Sequence, residues 1–137
     1  MRWLFLTLLL AAPAHAWEFS PTPICTLSYN EAEADVVVTY DPATRLYAIA
    51  ITTPQGWPDA PAFSIRFSRA STISSARHSV TGNTIRVEDV GFGNVLSGIE
   101  AGGTATAFTQ TAAATFSLKG AAEPVQRFRD CIRAPSV

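Results

Sequence analysis

The spacing of apolar residues along this chain changes character once. From Trp3 to Ala12 nearly every position is apolar, Arg2 stands in front of the run, and Ala14-His15-Ala16 closes it with small residues at alternate positions. A charged start, a short apolar stretch and a small-x-small end read as a secretory signal peptide over 1–16, with cleavage after Ala16. The stretch is shorter than the ~20 apolar residues of a membrane-spanning helix, so no membrane span is expected. After Trp17 the pattern turns to alternation with period two, the spacing of strands that bury one face.

Eight segments carry that alternation or a β-branched run. They are Ile24 to Tyr29, Asp35 to Tyr40, Leu46 to Thr53, Ala62 to Phe67, Ser71 to Ser74, Thr84 to Val90, Thr104 to Gln110 and Ala114 to Leu118. Asp41-Pro42-Ala43-Thr44-Arg45 is a turn that joins the second and third as a hairpin. In Ala62 to Phe67 the inward set is Phe63, Ile65 and Phe67, with Ser64 and Arg66 outward. Pro54 to Pro61 holds too many prolines for a strand or helix and is a loop. Val95 to Ile99 could form one helical turn. Near the end, Ala121, Val125 and Phe128 fall at i, i+4 and i+7, with Cys131 three beyond. That is the spacing of a short amphipathic helix, in which Pro124 fits only the first turn and Arg127, Arg129 and Arg133 point away. The expected fold is mainly β: a single antiparallel sandwich or flattened barrel of about eight short strands over 17–137, with a C-terminal helix on it.

Composition narrows this further. Forty-seven per cent hydrophobic and fifteen per cent charged residues can fill a core, and the net charge of −1 gives no footprint for nucleic acid or an anionic surface. The two cysteines, Cys25 and Cys131, lie near opposite ends of the exported chain. An even, widely spaced pair in an exported protein reads as a disulfide, and a redox pair would sit closer, as Cys-x-x-Cys. The bridge would pin the C-terminal helix to the first strand and could contribute roughly 4–5 kcal/mol by restricting the unfolded chain.

Candidate chemistry is sparse. His78 is the only histidine after residue 16, and no Gly-x-Ser-x-Gly elbow accompanies it. Beside Arg77 it reads as a turn residue; its functional alternatives are an anion contact or the base of a small hydrolase. One histidine and two bridged cysteines build no zinc site, and neither a metal nor a cofactor is expected. Glu31, Glu33 and Asp35 would share one side of an extended segment, either as a charged strand edge or as a calcium-collecting cluster. Glu88, Asp89 and Glu100 are carboxylates with solvent-facing places, since Glu88 and Asp89 point to opposite faces of a regular strand. Aromatic residues in loops offer more. Trp57 in the Pro-rich loop and Phe92 between Gly91 and Gly93 either plug the sandwich or, with Arg77 and His78, form a binding edge at one end of it.

Two stretches have a wider likeness. Trp17-Glu18-Phe19-x-Pro-x-Pro-x-Cys25-Thr-Leu, together with Phe116-Ser-Leu-Lys-Gly-Ala through Phe128-Arg-Asp-Cys131, resembles small exported proteins of unknown function from α-proteobacteria. Some of those carry the label of an excinuclease subunit, which these residues oppose: there is no nucleotide-binding loop, no basic surface, and an export signal is present. The strand–Gly–helix–Cys ending is also similar to that of periplasmic β-sandwich proteins linked to invasion or secretion. Neither resemblance carries a functional residue.

The reading that follows is a non-enzymatic binding protein of the periplasm or secreted fraction, monomeric, with an unknown protein or envelope component as partner. The alternatives are a small periplasmic hydrolase using His78 and a periplasmic inhibitor of a lytic enzyme. If the export reading holds, intact mass of the exported protein starts at Trp17; an N-terminus retaining Met1 removes it.

Overall fold

The computed structural model describes residues 16–134, so the expected signal peptide, Ala16 apart, lies outside the described residues. Ten strands and two helices follow in order: β1 (Glu18–Ser20), β2 (Cys25–Asn30), β3 (Asp35–Asp41), β4 (Leu46–Thr52), β5 (Phe63–Phe67), β6 (Ile73–Ser75), β7 (His78–Thr81), β8 (Thr84–Asp89), α1 (Gly93–Glu100), β9 (Thr104–Phe108), β10 (Ala113–Ser117) and α2 (Ala122–Arg133). The strands form two antiparallel sheets, one of six in the order β1-β2-β3-β4-β8-β7 and one of four in the order β10-β9-β5-β6. The mainly β sandwich with a C-terminal helix is therefore the observed architecture.

Alternation explains which face of each strand is buried. In the wide sheet Leu27, Tyr29, Val36, Val38, Ile49, Ile51, Ile85 and Val87 point inward. Register makes this a continuous layer, since Leu27 sits opposite Val38, Val38 opposite Ile49, and Ile49 opposite Val87. The narrow sheet answers with Phe63, Ile65, Phe67, Ala105, Ala107 and Phe116. Ile65 is fully buried and Arg66 beside it is exposed, lying over the Phe108 ring at 5.5 Å on the outer face.

The narrow sheet cannot cover six strands, and helix α2 extends the second layer. Its Val125 and Phe128 are fully buried, as is Ala121 just before it. Phe128 approaches Tyr47 at 6.4 Å between ring centres. Cys131 is bonded to Cys25, joining α2 to β2 across 106 residues. Pro124 sits in the first turn, where its missing N–H leaves no helical hydrogen bond unmade. Gly120, with φ of 76°, makes the left-handed bend that turns the chain from β10 into this helix.

The structure corrects four local expectations. Ten strands form, because β1 and β7 pair at opposite edges of the wide sheet; each is too short and polar to show a period by itself. Residues 93–100 make two helical turns in place of one. Arg129 does not point away: its Nε donates to Glu100 Oε2 at 3.2 Å and its Nη2 to Ser97 Oγ at 3.3 Å, tying α2 to α1. Glu31 and Glu33 lie in a turn closed by Glu31 N–H donating to Ala34 O, so they do not align with Asp35 on one strand.

Helix α1 packs on β5 at its closest through Gly98, where a Cβ would lie 2.5 Å from Phe67. A Cβ at Gly93 in the same helix would meet nothing within 4 Å. Gly98→Ala should cost about 1–3 kcal/mol in urea unfolding by overpacking. Gly93→Ala should stay within about 0.5 kcal/mol of the parent or exceed it. Equal losses would show that helix propensity, not the Phe67 contact, governs α1.

Candidate functional site

The four residues expected to form a binding edge do not gather. Trp57 is 4 % exposed, and its Nε1 donates to the carbonyl of Ile51 at 3.0 Å. Its ring meets Phe63 edge-on at 5.8 Å. Phe92 is likewise 4 % exposed and stacks on Tyr47 at 5.5 Å. Ile51 and Tyr47 are at opposite ends of β4, paired with Ile85 and Asp89 respectively. The two aromatics therefore plug opposite ends of the sandwich, and the expected shared, exposed patch is absent. The physical reason is that each loop folds its one large aromatic ring inward, out of water.

His78 does not sit in a turn either; it opens β7 opposite Val87. Its Nε2 is 2.8 Å from the carbonyl of Ala60, so Nε2 carries the proton. Nδ1 is buried without a hydrogen-bond partner, and no hydroxyl or carboxylate orients the ring for base catalysis. The imidazole fastens the Pro-rich loop to the β7 edge. Arg77 is exposed on the short crossover from β6 to β7, where its main-chain N–H donates to Ser75 Oγ at 3.0 Å.

The carboxylates are dispersed. Glu88 pairs with Arg86 at 2.9 Å on the outer face, and Glu100 is held by Arg129 and Gln126. Glu31 accepts a hydrogen bond from the Tyr29 hydroxyl at 3.0 Å. Burial, and then the Glu31 carboxylate, raise that phenol above its usual range. Among the described residues no group of three or more His, Cys, Asp or Glu sits within reach of one metal ion, and no helix there is long and apolar enough to cross a membrane.

One feature gathers apolar and polar groups around a single opening. Between the sheets, on the β6 side, a cleft of about 340 Å³ opens to solvent. Ile49 and Val87 from the wide sheet and Phe63 and Ile65 from the narrow one form its floor. Ile73, Ser74 and Ser75 of β6 make one wall, and Gly91 to Val95, leading into α1, make the other, with Phe92 among them. Asp89 and Asn94 stand at the rim. The cleft exists because β6 is three residues long and stops short of covering β4 and β8. Its volume is at the lower end of the range for small-ligand sites, and an apolar floor with a few polar rim groups is their usual make-up. Two other hollows are lined mainly by charged side chains and loop residues, with Arg69, Glu100, Lys119 and Glu123 in one and Glu18, Glu123 and Arg127 in the other.

Of the expected site residues, Phe92 borders this cleft and Arg77 lies two positions past Ser75; Trp57 does not line it. The floor residues read in sequence only as core. The signal that could have marked the site is Asp89 followed by Gly91-Phe92-Gly93-Asn94, small residues flanking one ring beside a carboxylate. No protein-family model, curated protein or solved structure matches this chain.

With both rings fully packed, Trp57→Ala and Phe92→Ala should each lower unfolding stability by about 3–5 kcal/mol. A loss under 1 kcal/mol at either position in chemical denaturation would show that the ring is not a plug.

Proposed function

We propose that this chain is an exported, non-enzymatic binding protein of the periplasm or envelope, and that it takes its partner at the cleft between β6 and residues 91–95. The cleft carries the proposal: an apolar floor open to water, rimmed by groups that can make hydrogen bonds, inside a fold closed by one disulfide. The Cys25–Cys131 bond is consistent with an oxidising, exported location. Non-enzymatic binding is favoured because the cleft holds no nucleophile–base pair: its one carboxylate, Asp89, accepts from its neighbour's N–H at 2.6 Å, and His78 is committed to the Ala60 carbonyl.

Val90 supports the same place. It is 76 % exposed and is one of two large apolar side chains left in water among the described residues. It lies between Asp89 and Gly91, both of which line the cleft, and is not itself a lining residue. An exposed apolar side chain next to the cleft adds apolar surface for a partner to cover.

Gly91 provides a test that spares the fold, since a Cβ there meets nothing within 4 Å. Gly91→Leu should fill the mouth, keep stability within about 0.5 kcal/mol, and abolish capture of the partner that the parent protein retains from the periplasmic fraction. Equal capture by both proteins, or turnover of a substrate, would overturn the proposal.

A further inference from the structure

The walls of the cleft define what enters it. Three consecutive residues of β6 line one wall, yet successive side chains on a strand point to opposite faces. Ser74 demonstrates this: its hydroxyl is held on the outer face by Ser64 Oγ at 2.7 Å. What Ser74 offers the cleft is therefore its main chain. β6 pairs only with β5, so its second edge is open along this wall. An open edge with unpaired N–H and C=O groups beside an apolar hole accepts an added strand, with main-chain bonds supplying affinity and the hole selecting one side chain.

The other edges differ. β1 contains Glu18 and is followed by Pro21 and Pro23. None of β1, β7 and β10 borders this cleft. Charge narrows the occupant further. Asp89 is the one charged residue among those lining the cleft, and it is exposed. A basic group on the occupant complements it, and an acidic one is repelled.

We propose that the occupant is an extended peptide segment of a partner protein, added as a strand along the open edge of β6, with one apolar side chain in the cleft and a Lys or Arg beside it facing Asp89. This rests on the cleft being the binding site. With about 340 Å³ available, the hole takes one large side chain and its adjoining main chain, and the three residues of β6 set a short register.

The test selects phage-displayed heptapeptides with a fixed central Leu against the purified, disulfide-bonded protein, and titrates synthetic versions. Selected peptides should carry Lys or Arg within two positions of the Leu. N-methylation of the amides flanking that Leu should weaken binding by about fivefold or more, whereas N-methylation at the peptide ends should not. Asp89→Asn should weaken the basic peptide about threefold and leave its Lys→Ala version unchanged. Gly91→Leu, or Gly93→Leu if the first is unstable, should remove binding. Toluene, followed by the methyl signals of Ile49, Ile65 and Val87, reports the cleft independently. Toluene binding with no selected peptide overturns the strand addition and leaves the cleft reading standing. Failure of both overturns both. Peptides that bind regardless of N-methylation, or that bind Gly91→Leu as well as the parent, also overturn it.

Discussion

A six-stranded sheet faces a four-stranded one, and that mismatch in width governs the rest of the molecule. The apolar face of β2, β3 and β4 would stay in water if only β5, β6, β9 and β10 covered it. Burying an aliphatic side chain stabilises by roughly 1.5–3 kcal/mol relative to leaving it exposed, so the uncovered rows must find another cover. Helix α2 supplies it on one flank. Its Phe128 reaches Tyr47, and its Cys131 is tied to Cys25, whose strand β2 it packs on. Helix α1 then closes the end at which Phe92 stacks on Tyr47. On the opposite flank, over β4 and β8, the narrow sheet ends in a strand of three residues, and the cleft opens there.

Much of this was legible in the sequence because it rests on local spacing. The alternation Phe63-Ser64-Ile65-Arg66-Phe67 gives the face of β5 directly, and the i, i+4, i+7 series ending in Phe128 gives the face of α2. The cysteine pair gives the staple, since a chain with two distant cysteines has one way to bridge them internally. The strands β1 and β7 were not legible: three or four residues such as Glu18-Phe19-Ser20 carry too little pattern, and their placement comes from pairing with β2 and β8. Trp57 and Phe92 left two readings open, plug or binding edge, for a different reason. A loop position marks where the backbone runs, not where a ring points, and each ring had an apolar hollow within reach. The cleft was illegible because it arises from the strand order, in which β8 returns beside β4, and from the shortness of β6. No window of sequence contains that relation.

The walls of the cleft are held from two independent sides. β6 passes through a two-residue crossover into β7, and His78 at the start of β7 fastens the Pro-rich loop through Ala60. On the other side, α1 is locked to α2 by Arg129 bridging Glu100 and Ser97, and α2 is locked to β2 by the disulfide. The Arg129–Glu100 pair is only partly exposed, so its geometry is better fixed than that of a freely solvated surface pair. A site whose two walls are fixed before a partner arrives loses little conformational freedom on binding.

This rigidity also explains why so much of the aromatic content is spent on structure. Trp17 stacks on Tyr29 at 5.1 Å and donates from Nε1 to Ser117 O at 2.9 Å, joining the residue just before β1 to the end of β10. Trp57 and Phe92 do equivalent work at the two ends of β4. A small domain with few charges has limited means to fix its loops, and a buried ring with one satisfied N–H fixes a loop without requiring a regular element. On the proposed reading, recognition is left to a main-chain edge, small residues and one carboxylate, which a sequence hides because none of them is individually distinctive. A histidine and loop aromatics draw attention in the sequence, but His78, Trp57 and Phe92 brace the frame. The open edge of β6 and the glycines at 91 and 93 leave the room that frame encloses.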